Sequence, residues 1–139
     1  MEPSVFVIAP FGPDGQHVID TVGRAMEEAG YRVIRQDNEM DRAEKRTQSA
    51  RQAIREADLV IADVSNQNPN VMYELGFAHA LRKLTIPLIS TKSTAYPADL
   101  AGFDWVFYDP EDFRHGMAEL RGLIKSMLAR RNLRRALTF

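Results

Sequence analysis

A chain of 139 residues is long enough to bury one core and is expected to form a single domain over residues 1–139. Its 18 basic and 19 acidic residues leave a formal charge of -1, which excludes a global electrostatic pull toward nucleic acid or an anionic membrane. It has no cysteine, which excludes disulfides and thiolate metal sites, and no apolar run approaches the roughly 20 residues of a membrane span.

Residues 4–9, SVFVIA, form a short apolar run stopped by Pro10, Gly12, Pro13 and Gly15, which predicts a buried strand followed by a loop. From Gln16 to Ala29 the apolar residues Val18, Val22, Ala25, Met26 and Ala29 recur at helical spacing, with Gly30 as the stop. Tyr31 to Gln36 mixes strand formers with charge and predicts a less buried strand. The polar stretch Asp37 to Thr47 reads as a loop merging into a second helix marked by Ala50, Ala53, Ile54 and Ala57. Leu59 to Val64 is another apolar run, interrupted by Asp63. Asn68 can cap a third helix with Pro69 in its first position, and that helix is expected to run to about Lys83. Thr85 to Ile89 predicts a fourth strand and Phe103 to Tyr108 a fifth. A last helix, starting near Pro110, keeps Phe113, Met117, Leu120, Ile124 and Met127 in step.

Strands alternating with helices imply an α/β fold with a doubly wound parallel sheet covered on both faces. The wholly apolar runs belong inside and the charged second and fifth at the edges, giving the order 2-1-3-4-5 and a flavodoxin-like, Rossmann-like architecture. Ligands in such sheets bind at the carboxyl ends of the strands where the order reverses, here the loops at residues 10–16 and 63–70.

Glu74 stands out against this frame. On a helical wheel Val71, Leu75, Ala78 and Leu81 form the inward arc, and Glu74 falls between Ala78 and Leu81. Either it lies at the edge of that arc and reaches water, or it is a functional carboxylate beside an apolar wall. Asp63, at the end of the third strand, can cap the following loop, serve a substrate, or both. Asn68 and Asn70 offer amides to a sugar or base, although each also suits a cap or turn. Gly12 and Gly15 permit close backbone approach before a helix N-terminus, a place suited to a phosphate, and Phe11 can stack on a base. The loop matches neither GxGxxG nor GxxxxGK[ST]. Ser65 lacks a GxSxG elbow, and His17, His79 and His115 lack metal-ligand spacing, so no metal or cofactor is expected. The basic run Lys125, Arg130, Arg131, Arg134 and Arg135 suits a solvated helix end.

The segment ADLVIADVSNQNPNVMYELGFAHALRK (Ala57 to Lys83), with APFG before it and YPADL (Tyr96 to Leu100) after, resembles the nucleoside 2-deoxyribosyltransferase-like superfamily. It is also similar to the bacterial Toll/interleukin receptor-like nucleotide-binding domains. The resemblance implies a flavodoxin-like sheet and a glutamate, here Glu74, acting at the anomeric carbon of a ribosyl or deoxyribosyl group. Asp63 matches the aspartate closing the third strand. Where the transferases carry an acidic, glycine-containing turn before the glutamate, this chain has Asn68-Pro69-Asn70.

The expected activity is cleavage or transfer at the N-glycosidic bond of a nucleoside, nucleotide or NAD-like substrate. Glu74 and Asp63 are its candidate catalytic residues, and Phe11, Gly12, Gly15, Asn68 and Asn70 its candidate substrate contacts. A Toll/interleukin receptor-like NAD hydrolase effector domain and a non-catalytic nucleotide-binding or self-assembling module are the alternatives. A cytoplasmic homo-oligomer is expected, without membrane or nucleic-acid partners.

Overall fold

Five parallel strands form one sheet in the order β2-β1-β3-β4-β5 in the computed structural model, which describes residues 2–36, 43–98 and 102–137. The strands are β1 (Ser4–Ile8), β2 (Arg32–Ile34), β3 (Leu59–Asp63), β4 (Leu84–Ser90) and β5 (Val106–Tyr108). The helices are α1 (Pro13–Glu28), α2 (Ala43–Glu56), α3 (Pro69–Ala80) and α4 (Arg114–Leu137), with a short 3-10 turn at Ser65–Gln67.

The period-two alternation of β1 divides the core. Val5 and Val7 join Leu59, Ile61, Ile86 and Leu88 on the face covered by α1 and α4, where Val22, Met26, Leu120 and Ile124 are fully buried. Phe6 and Ile8 join Val60 and Ala62 on the other face, under Ile54 of α2 and Val71, Leu75 and Ala78 of α3. β1 and β3 are buried on both faces because each lies between two strands and two helix layers. β2 and β5 are the short edges.

Several boundaries differ from those expected. α1 begins at Pro13 rather than Gln16, since proline is well placed in a first turn and Gly12, at φ 117, turns the chain into it. α3 ends at Ala80 rather than near Lys83, because Arg82 takes a left-handed φ of 57. Leu81, assigned inward on the wheel, is consequently 41% exposed. β5 begins at Val106, so Phe103 and Asp104 lie outside it. α4 begins at Arg114, whose backbone N–H donates to Asp112 Oδ1 at 3.2 Å. Of the polar stretch at 37–47, residues 37–42 lie outside the described residues, and the chain is helical from Ala43. No helix among the described residues is long and apolar enough to cross a membrane.

Candidate active site

The strand order reverses between β1 and β3, and a cavity of about 350 Å³ opens there at the carboxyl end of β1. Val7, Ile8, Ala9 and Val71 supply apolar wall, Phe11 and Gly12 the β1–α1 loop, and Asn70 and Glu74 the start of α3. Gln36, at the carboxyl end of β2, and Arg46, in the first turn of α2, complete the polar lining together with Gln16. A smaller chamber of about 140 Å³ shares Phe11, Arg46, Asn70 and Glu74 and adds Thr47 and Tyr73.

Glu74 owes its position to the local sequence. Asn68 Oδ1 accepts the backbone N–H groups of Asn70 (3.1 Å) and Val71 (3.2 Å), which fixes where α3 starts. Val71, Leu75 and Ala78 then anchor the helix to the sheet, and Glu74, on the flank of that arc, is half-buried and lines the cavity. Burial pushes its carboxyl up to about 7. A carboxylate in this state gains the most from a positive charge brought next to it.

Phe11 is 60% exposed and presents its ring at the cavity, with the Arg46 guanidinium 5.0 Å from the ring centroid. Gln36 Nε2 donates to the Arg46 carbonyl at 2.8 Å, tying the start of α2 to the end of β2. Neither Arg46 nor Gln36 was among the sequence candidates. The strand order held the signal for Gln36, because β2 borders β1 and its carboxyl end faces the same crevice. Arg46 was hidden in a polar run without periodicity.

The other candidates divide. Asn70 and Gly12 line the cavity; Asp63, Asn68 and Gly15 do not. Asp63 is 3% exposed, and its carboxylate accepts from the Ser65 backbone N–H (3.1 Å), the Ser65 hydroxyl and the Tyr108 hydroxyl (2.6 Å). Of the roles expected for Asp63, these bonds supply the cap of the following loop, and they add a tie to β5. Ser65 Oγ accepts the Ser90 N–H (2.8 Å), and Asn66 Oδ1 accepts the Thr94 N–H (3.0 Å), so the β3–α3 loop is clasped to the segment after β4. Asn68 spends its side-chain oxygen on the α3 cap. Gly15 is close-packed against its own chain, where a Cβ would lie 1.6 Å from the Pro10 carbonyl oxygen. His79 stacks on Phe103 and pairs with Thr85 Oγ1 at 3.0 Å, away from the cavity.

A model of the nucleoside 2-deoxyribosyltransferase family matches residues 8–128. A comparison with curated proteins finds no significant match. Among solved structures, the chain is similar to the Clostridium botulinum CMP N-glycosidase BcmB, at 23% identity and a TM-score of 0.63, covering 84% of this chain and 97% of that one. It is similar to the 2-deoxyribosyltransferase of Bacillus psychrosaccharolyticus at 14% identity and a TM-score of 0.61, over 81% and 88% of the two chains. The TIR domains of the Roq1 resistosome match at 15% identity and a TM-score of 0.50, over 65% of this chain and 58% of theirs. At these identities the structural likeness establishes the flavodoxin-like fold.

Proposed function

The chain belongs to the nucleoside 2-deoxyribosyltransferase family, and from that premise we propose that Glu74 engages the anomeric carbon of its substrate while the N-glycosidic bond breaks. The family's enzymes cleave or transfer at that bond in nucleosides. The observation that carries the assignment is a half-buried carboxylate on an apolar-walled cavity of about 350 Å³ at the sheet's switch point.

Cleavage of the bond passes through an oxocarbenium-like state with positive charge at C1′. Glu74 stabilises that charge and attacks it, and the apolar wall of Val7, Ile8 and Val71 beside it strengthens the attraction. As the charge develops, the ionised form of Glu74 gains more than the neutral form, so the interaction is strongest in the transition state, as catalysis requires. Phe11 offers the base a flat face. Asn70 offers the sugar an amide, and the Gly12 backbone at the start of α1 suits a 5′-phosphate. Water as acceptor gives hydrolysis, and a second base gives transfer.

The substrate is a nucleoside, a nucleotide such as CMP, or NAD. Free base released from a panel of ribonucleotides, deoxynucleosides and NAD, with and without an acceptor base, tests the assignment. The wild type should release base and Glu74→Gln should release none. An active Glu74→Gln variant would refute the role of Glu74. Thermal stabilisation by these compounds without any product would favour a binding module instead.

The reading extends to self-association. α3 exposes Tyr73, at 56%, whose hydroxyl accepts from Arg51, next to the half-buried Met72, and a second copy can cover this face. Light scattering should return a mass above the monomer's, and a monomer throughout the micromolar range would exclude it.

A further inference from the structure

Resting on the reading of Glu74 above, we propose that Asn66 is a positioning residue for the reaction: it clasps the β3–α3 loop to the segment after β4 and thereby holds the first turns of α3, with Glu74, against the cavity wall. Asn66 itself lines neither chamber beside Glu74, so its effect passes through the helix. The conformation of the loop leads to this assignment. Asn66 and Gln67 both take left-handed backbone, at φ 55 and 54, although neither is glycine. Such a pair persists only where surrounding bonds enforce it. The Asn66 backbone N–H donates to Ser93 Oγ at 3.0 Å, and its Oδ1 accepts from the Thr94 N–H at 3.0 Å and the Thr94 hydroxyl at 3.2 Å. Ser93 is buried, and its hydroxyl is fixed in turn by donating to the Ala95 carbonyl at 2.9 Å.

These ties serve the end of the loop that feeds α3. The bonds of Asp63 to Ser65 secure its start beside β3, and the Gln67 N–H returns to the Val64 carbonyl at 3.0 Å. The Asn68 cap is internal to α3, setting where the helix begins without tying it to the sheet. Val71, Leu75 and Ala78 grip one face only, and Glu74 stands on the flank of that face, so a small rotation of α3 carries its carboxyl from the apolar wall toward water. A reacting group tolerates displacement of only about 0.5 Å. The Asn66 clasp removes that freedom.

Substitutions on both sides of the clasp test the proposal. Asn66→Gly keeps the left-handed backbone and loses Oδ1, Asn66→Asp keeps an acceptor there, and Ser93→Ala cuts the bond to the Asn66 N–H from the other side. With CMP, deoxycytidine and NAD as probes, Asn66→Gly should lose roughly 10- to 100-fold in kcat while KM stays within about threefold, as for a displaced reacting group. Ser93→Ala should lose less, and Asn66→Asp should keep most of the rate. The carboxyl chemical shift of Glu74, assigned by its loss in Glu74→Gln, gives a second reading that needs no turnover. It should titrate at about 7 in the wild type and in Asn66→Asp, and fall toward 4.5 in Asn66→Gly as water reaches the group. Arg46, which lines the same cavity, is unchanged in every variant. Wild-type kcat or an unmoved titration in Asn66→Gly, a loss confined to KM, or an Asn66→Asp no better than Asn66→Gly would overturn the proposal. Where no probe is turned over, the titration alone decides. Glu74→Gln reports separately: activity there would remove the role of Glu74 and the clasp's role with it, whereas an inactive Glu74→Gln beside an unimpaired Asn66→Gly would remove the role of the clasp alone.

Discussion

Tyr108 of β5 donates its hydroxyl to Asp63 Oδ2 across 2.6 Å, linking two strands that are not neighbours in the sheet. Burial and that hydrogen bond push the Tyr108 hydroxyl far above its usual range, so it stays protonated and donates throughout the physiological pH range. Removing the donor leaves a buried carboxylate short of a partner. Tyr108→Phe should therefore cost roughly 1–3 kcal/mol in urea denaturation while leaving kcat within a few-fold of wild type. Asp63→Asn should behave likewise. A loss of 100-fold or more in kcat at unchanged stability would place Asp63 at the substrate after all.

The sheet was legible because its evidence is local and repeated. β1 and β3 each read as apolar runs, the second interrupted at its end by Asp63, and β2 as a charged one, whereas the charge that marked the fifth run, Asp104, lies outside β5. Glu74 was legible for a related reason: a carboxylate interrupting the apolar flank of a helix conflicts with its surroundings. Asp63 and Gly15 show the limit of such reading. An aspartate at a strand end serves a loop or a substrate with the same sequence signature, and the bonds of Asp63 to Ser65 and to Tyr108, the latter 45 residues away in the chain, are visible only in the fold. Glycine likewise allows close approach to a ligand or to the chain itself, and for Gly15 the neighbour is Pro10. Arg46 was not legible because its place on the cavity wall comes from how α2 packs in the fold, not from anything in its own segment.

The raised carboxyl of Glu74 sets a pH dependence for catalysis. In the role proposed for it above Glu74 must be ionised, and burial pushes its carboxyl up to about 7 from the ordinary 4.5 of a glutamate. The free-enzyme rate constant kcat/KM should fall about tenfold per unit on the acid side of an apparent pKa near 7 and level off above it. A profile of initial rates from pH 5 to 9 checks this. An acid limb near 4.5 would mean that Glu74 is solvated in the working enzyme.

The same group links pH to stability. Between the unfolded value near 4.5 and the folded value of about 7, the folded state holds a proton that the unfolded state has lost. Stability from this group is thus fully present below pH 4.5, declines as pH rises toward 7, and stays low above it. Two and a half pKa units correspond to about 3 kcal/mol, and screening at the open cavity brings that nearer to about 2 kcal/mol. Glu74→Gln lacks the titration. Its stability relative to wild type should rise by about that amount between pH 5 and pH 8, as read from denaturation midpoints at each pH. A constant difference across that range would show that Glu74 is not desolvated.

Gly15 supplies a test of how the cavity floor is built. The first turn of α1 passes so close to the end of β1 that a Cβ on Gly15 would meet the Pro10 carbonyl oxygen at 1.6 Å, and a backbone atom has little room to yield. Gly12, by contrast, has open space around its Cβ position but a φ of 117. The two glycines should therefore fail differently. Gly15→Ala must push α1 off the sheet, disturb the buried Val18 and Val22, and cost on the order of 3 kcal/mol or more. Gly12→Ala meets only backbone strain, of order 1–3 kcal/mol. It should leave a folded protein whose KM for a 5′-monophosphate rises more than its KM for the matching nucleoside. Equal thermal shifts for the two variants would mean that α1 can slide away from Pro10, and the cavity wall at residues 10–13 would then be adjustable rather than fixed.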